Sequence, residues 1–380
     1  MMFTNSIKQT DKERFLNVMD YKAYDKVPNY EAGVWGQTID LWQNQGLDIS
    51  RLSWDWFTGE EYFGMDKRHF FPVHLGMMPA FEYKILEKTD RYETFIDYEG
   101  RTRKALLEGT AHGTRMCMDE FIDFPVKTLK NFREIKKRFS VDINARYPKG
   151  WKENVINLKD REIPMIFGCN CSTLGFYWRA RDFMGTEGIS YALYDEPELV
   201  HEMMEFIADF TIEMSKPFFE VTDCEYVMIN EDMSMKTGPL ISPAHYKEFI
   251  FPHMRRLSDF YKQNGVKYVF VDTDGNCEAL LPLLMEAGVD GIWPLERAAN
   301  MDPIRIRKKF GKDLRLFGAV DKMELAKGKK AIDAHLATMV PLIEEGGFIP
   351  TVDHTVPPDV SLEDFLYYMK RKEDLLWGRF

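Results

Sequence analysis

Acidic residues recur at one kind of place in this 380-residue sequence, directly after short apolar runs. Glu31 closes VPNY, Glu231 and Asp232 follow YVMIN, Asp272 and Asp274 follow YVFV, and Glu296 follows GIWPL. Asp321 follows LFGAV, Asp353-His354 follow FIPTV, and Cys169 and Cys171 follow PMIFG. Asp272 and Asp274 are two apart, so on an extended segment both side chains point to one face and their carboxylates converge. Crowded carboxylates repel. Either one of them keeps its proton and becomes a general acid, or a cation neutralises the cluster. A single Asp after a strand is more often a helix N-cap or turn former, and Asp321 reads that way. Cys169-Asn-Cys171 is too short for the common C-x-x-C zinc half-site, and Cys117, Cys224 and Cys277 read as small buried apolar residues.

The runs that carry these residues define the elements that position them. PMIFGCN (164–170), EYVMIN (225–230), KYVFVDTD (267–274), GIWPLE (291–296), LRLFGAV (314–320) and GFIPTVD (347–353) are continuous apolar stretches, as expected for parallel strands covered on both faces. Helix punctuation lies between them: Ser242-Pro243 and Asp302-Pro303 start helices, Asn264-Gly265, Gly288 and Gly311 stop them, and Ser361-Leu-Glu-Asp364 opens the last. Upstream, Thr10-x-x-Glu13 is a capping box, VPNYEAGVW (27–35) reads as one more buried strand, and residues 80–125 read as an antiparallel meander. Seven barrel-type strands can be counted and the eighth is not located. The fold expected is α/β, a (β/α)8 TIM-type barrel with an N-terminal helical and antiparallel β elaboration, spanning 1–380 as one domain. Residues 1–160 would supply the first strand and the meander, and 161–380 the regular βα array. An open doubly wound sheet is the alternative, although no G-x-G-x-x-G follows a strand. In such a barrel the C-terminal strand ends form the site. Trp35, Phe176, Tyr177, Trp178 and Met233 could then line a flat apolar ligand pocket, although most of the 22 Met and the aromatic residues belong to the core.

Composition narrows the function classes. Lys and Arg number 50 against 61 Asp and Glu, a formal net charge of −11, which gives no general basic field for duplex nucleic acid or an anionic membrane. No apolar stretch approaches the roughly 20 residues a spanning helix needs. The opening residues lack the apolar core of a signal peptide, and five Cys do not form a disulfide framework, so a reducing cytoplasm is expected.

Three longer runs, FYWRARDFMGTEGISYALYDEPELVHEMMEF (176–206), NEDMSMKTGPLISPAHYKEFIFPHMRRL (230–257) and VDTDGNCEALLPLLMEAGVDGIWPLE (271–296), resemble the uroporphyrinogen decarboxylase superfamily. KERFLNVMDYKAYDKVPNYE (12–31), Phe317-Gly-Ala-Val-Asp321 and Pro350-Thr-Val-Asp-His354 extend the resemblance over nearly the whole chain. It implies a distorted (β/α)8 barrel with its site at the C-terminal face. True decarboxylases of this superfamily work without a cofactor and grip their substrate's carboxylates with an arginine-rich opening motif. Here Glu31-Ala-Gly-Val-Trp35-Gly-Gln stands in that place and carries no Arg, so a substrate with many carboxylates lacks its cationic partners. Glu31 and Trp35 become substrate-site candidates instead.

The chain is more similar to the superfamily's other branch, the corrinoid-dependent methyltransferases such as the methylcobalamin:coenzyme M enzymes. By position, their zinc-binding His-x-Cys resembles Asp272-Thr-Asp274-Gly-Asn276, their Glu resembles Glu296, and their last Cys resembles His354 or, less closely, Asp353. The resemblance implies a divalent metal held by Asp272, Asp274, Glu296 and His354, zinc first, with manganese or iron also suited to an oxygen and nitrogen set. The implied activity moves a methyl group from an O- or N-methylated small substrate, such as a methoxylated aromatic (an O-demethylation), to a partner corrinoid (cobalamin) protein, with the metal as Lewis acid on the leaving group. Glu231 and Asp232 would be supporting or acid–base groups beside Asp272 and His354. The alternative is a cofactor-independent decarboxylase or lyase in which Asp272 or Asp274 protonates a carbanion. A metal-binding or corrinoid-docking protein without catalysis is the third reading. Homodimer or monomer is left open.

Overall fold

The computed structural model describes residues 3, 8–53, 56, 59–108, 110–112, 114–115, 118–168 and 173–380; Cys117, Cys169 and Cys171 lie outside them. Six of the apolar runs read from the sequence pair in parallel with one another and with a seventh strand. Their order is β1 (His69–Phe71), β2 (Met165–Phe167), β3 (Tyr226–Asn230), β4 (Tyr268–Asp272), β5 (Gly291–Trp293), β6 (Arg315–Val320) and β7 (Phe348–Val352), with Thr173–Leu174 pairing beside β3. The sheet curls, and its strands are buried almost throughout, which is why they are continuously apolar rather than alternating.

Helix caps follow the predicted punctuation. Helix α1 (Asp11–Met19) has the full Thr10–Glu13 capping box, and Ser242, Asp302 and Ser361 each accept an N–H of the first turn. Helices α2 (Phe176–Asp195), α3 (Pro197–Phe219) and α4 (Phe251–Gln263) connect β2, β3 and β4. The antiparallel meander is present as four strands, Lys84–Lys88, Tyr92–Ile96, Thr102–Leu106 and Glu120–Asp123. Among the described residues no helix is long and apolar enough to cross a membrane.

Two features depart from expectation. Residues 27–35 form no ladder strand. Val34 makes one isolated bridge to Val356, and the Val352 N–H is taken by the Glu31 carboxylate rather than by a backbone carbonyl. Pro28 has no N–H, and Gly33 has a φ of +109°, so a regular run is interrupted from within. The strand that sequence reading did not locate is β1, whose three residues pair with Met165–Phe167. A closed eight-stranded barrel is therefore not what the ladders show; they show a curled parallel sheet with seven strands along its path.

Register fixes which side chains share the inner face. Asn230, Asp272 and Trp293 are ladder partners on β3, β4 and β5, as are Met228, Phe270 and Gly291 one level below. A Cβ at Gly291 would lie 2.2 Å from the Phe270 ring, so the glycine makes room for that phenyl group. On β6 and β7, Ala319 and Thr351 are partners on the same face as Phe317.

Candidate active site

Asp272 is the last residue of β4, and its carbonyl accepts the N–H groups of Glu231 at 2.7 Å and Asp232 at 3.3 Å. The loop after β4 is pressed onto the loop after β3: Thr273 Oγ1 accepts the Met233 N–H at 2.9 Å, and the Asn276 N–H donates to Met235 O at 2.8 Å. Gly275, with φ +75°, permits this approach, because a Cβ there would stand 2.7 Å from Ser234 O. The result brings three carboxyl groups together. The half-buried Asp272 side chain has no hydrogen-bond partner among the described residues. Burial, and then the charges of Asp274 and Asp232, push its pKa well above the ordinary carboxylate range.

Asp232 adopts a left-handed backbone, φ +35°, and its carboxylate pairs with Arg181 from α2, whose other nitrogen donates to Asp232 O at 3.0 Å. Burial raises the Asp232 pKa, and Arg181 opposes the rise. Arg181 also lies 5.1 Å over the Trp178 ring. From the loop after β7, His354 Nε2 stands 3.3 Å from Asp274 Oδ2, and that contact raises the histidine pKa. The Trp35 and His354 rings stack at 6.3 Å with 29° between their planes. Trp178, Arg181, Asp232, Asp272, Asp274, His354 and Trp35 thus form one polar and aromatic band at the strand ends.

The other expected metal ligands are committed elsewhere. Glu296 takes the Lys322 ammonium at 3.2 Å and the Gly275 N–H at 3.1 Å. Asp353, fully buried, accepts the N–H groups of Arg297 at 2.8 Å and Lys322 at 3.1 Å. Among the described residues, no three His, Cys, Asp or Glu side chains stand together closely enough to hold a metal ion. Asp272, Asp274, Glu296 and His354, as arranged, do not fit one metal: a lysine already neutralises Glu296, and His354 faces Asp274 rather than a shared centre.

Several expected site residues have structural partners instead. Glu231 is fully buried at the start of α2, where it accepts the N–H groups of Phe176 at 3.0 Å and Tyr177 at 2.7 Å. Burial pushes its pKa to about 7. Phe176, Tyr177 and Met233 are fully buried. Glu31 is enclosed by Lys372 at 2.6 Å, the Tyr368 hydroxyl and the Val352 N–H at 2.8 Å. Asp321 caps the short helix after β6 by accepting the Met323 N–H, as its position suggested. Cys224 and Cys277 are buried free thiols. Of the aromatic candidates, Trp35 and Trp178 remain at the site. Sequence reading missed Arg181 and Lys322. Lys322 follows a strand end just as the acids do, and a search for cations at those ends would have found it; Arg181, inside a helix, gave no such signal.

A parallel α/β sheet with ionisable residues at its C-terminal strand ends is an enzyme-like architecture. The chain belongs to the uroporphyrinogen decarboxylase (URO-D) family, whose profile matches residues 162–373. It is 24% identical over 262 residues to the uroporphyrinogen decarboxylase of Hydrogenovibrio crunogenus, covering 66% of this chain and 70% of that protein. The uroporphyrinogen decarboxylase of Carboxydothermus hydrogenoformans is 24% identical over 283 residues, covering 71% and 75%. Among solved structures, a methyltransferase from Methanosarcina mazei superposes with a TM-score of 0.61 at 14% identity, covering 97% of this chain and 99% of that one, a likeness of fold.

Proposed function

We propose that this protein transfers a methyl group from an O- or N-methylated small substrate to the cobalt of a separate corrinoid protein, with Asp272 as the acid that protonates the leaving group. The observation that carries the proposal is the Asp272 carboxyl: inward-facing, free of hydrogen-bond partners among the described residues, and held toward its neutral form by burial and two adjacent acids. Expelling an alkoxide, phenoxide or amide ion is slow, and a proton delivered as the bond breaks makes the departing group neutral. The methyl carbon–oxygen or carbon–nitrogen bond breaks, the methyl passes to the cobalt nucleophile, and the Asp272 proton goes to the departing heteroatom. The new carboxylate, disfavoured by burial and by Asp274 and Asp232, regains a proton from solvent at the mouth. Trp35 and Trp178 offer flat faces for the substrate.

Family membership and the fold shared with a methyltransferase support this reading. It takes residues 27–35 as the eighth stave of a closed barrel, since Val34 bridges to Val356 on one side and Asn29 O accepts the Asp66 N–H on the other. A second reading, a cofactor-independent decarboxylase, rests on the same neutral acid, which could protonate a carbanion, and on the two decarboxylase relatives.

Asp272→Asn tests the assignment. It should fold normally and lower turnover about 10²- to 10⁴-fold. Wild-type activity should fall as pH rises through the elevated Asp272 pKa. A variant with undiminished turnover and an unchanged pH profile would remove Asp272 from the chemistry.

A further inference from the structure

Below the level of Asp272, the same inner face borders a small, partly open cavity of about 20 Å³, lined by Tyr30, Arg68, Tyr226, Trp293 and Thr351 among others. Arg68 precedes β1 and is 8% exposed. Its guanidinium lies 4.1 Å over the Tyr30 ring, and Nη1 donates to Tyr226 Oη at 3.3 Å. Among the described residues the Nε–H has no partner, nor does the buried Tyr30 hydroxyl. No carboxylate stands within ion-pair distance of Arg68 among the described residues.

Other deeply buried cations are compensated. Arg14 has Asp25 at 2.9 Å, Arg161 has Glu225 at 2.8 Å and Lys372 has Glu31 at 2.6 Å. Arg146, which lacks an acid, is surrounded by the carbonyls of His74, Gly76, Arg138 and Ser140. Arg68 has neither solution. Glu31 also lines the cavity, but Lys372 already neutralises it. A buried charge without a counter-ion is strongly destabilising, and an anion in the adjoining space removes that cost. A cavity of this size admits one small group.

We propose that this cavity binds one small anionic group of halide or carboxylate size, with Arg68 as its cationic anchor and the Tyr30 hydroxyl as a second donor. The group is either a free ion or the carboxylate of a larger substrate reaching down from the mouth. The site does not depend on the methyl-transfer reading.

Thermal melting of the full-length protein in a fluoride- and halide-free buffer tests it, with bromide, formate, 4-methoxybenzoate and 4-methoxybenzamide added in turn. Saturable stabilisation by bromide or formate identifies a free-ion site. Stabilisation by the benzoate alone, and not by its amide, identifies a substrate carboxylate. Either effect should vanish in Arg68→Gln and weaken about 10-fold in Tyr30→Phe. Should Arg68→Gln fail to fold, the Tyr30→Phe titration decides. No stabilisation by any of the anions, or an affinity unchanged in the variants, overturns the proposal.

Discussion

His354 Nε2 and Asp274 Oδ2, 3.3 Å apart, join the loop after β7 to the loop after β4 at the mouth of the sheet. The hydrogen bond to Asp274 is the main cause of the raised histidine pKa. A histidine whose folded pKa is raised contributes stability that is fully present below its unfolded value, near 6.5, and is lost as pH rises through the folded value. Asp274→Asn should therefore return the His354 titration, followed by its ring proton resonances, toward about 6.5 or below. The stability difference should be about 0.5–1 kcal/mol in mildly acidic solution, above the ordinary carboxylate range of about 4 and below about 6.5, because both groups keep contact with solvent, and should shrink at high pH. An unchanged His354 titration would contradict the pairing.

The buried Glu31–Lys372 pair predicts a different response. Lys372 is fully buried, bonded to Glu31 and to the Tyr30 carbonyl at 2.7 Å, and burial lowers its pKa. Lys372→Met leaves Glu31 buried without its cation and should destabilise by about 3–5 kcal/mol in urea unfolding. Adding Glu31→Gln should restore part of that loss. A stable Lys372→Met protein with only a weakened substrate KM would instead make Glu31 a substrate contact.

Glu231 predicts a pH-dependent contribution. Its folded pKa, about 7, exceeds the ordinary 4.5, so the fold holds this proton more tightly than the unfolded chain does. Its contribution to stability therefore declines as pH rises from about 4.5 through about 7 and is constant above. Glu231→Ala leaves two helix N–H groups without an acceptor and should lose about 2–4 kcal/mol, with the larger difference from wild type near pH 5 and the smaller near pH 8. A difference that does not vary with pH would refute the assigned titration.

Much of this was legible in the sequence for a physical reason: strands buried on both faces must be continuously apolar, and helix ends must be capped. β4, with YVFV ahead of two aspartates, announced both the strand and its acidic end. β1 did not, because three residues carry no usable period and only Phe70-Phe71 are apolar. VPNYEAGVW misled in the opposite direction: it is as apolar as a strand, but its neighbour's N–H is satisfied by the Glu31 side chain. Position after a strand marked Asp272, Asp274 and His354 without distinguishing them from Glu231 or Asp353, whose carboxylates serve backbone N–H groups. That distinction needs the third dimension, since Phe176 and Arg297 lie 55 and 56 residues away in the chain.

Uroporphyrinogen should not be turned over. Glu31 is enclosed by Lys372 and Tyr368, and Arg181 is paired with Asp232 rather than open to a substrate carboxylate. Carbon dioxide release from uroporphyrinogen at enzymatic rates would move the decarboxylase reading ahead.

The most direct test of the central claim is the absorption spectrum of cob(I)alamin mixed with the purified protein and, in turn, a panel of methoxyarenes and methylamines. Methyl transfer predicts that at least one donor converts the cob(I)alamin spectrum to that of methylcobalamin, with the wild-type protein far faster than Asp272→Asn. A spectrum unchanged across the panel with cob(I)alamin, and again with a corrinoid protein as acceptor, would contradict it.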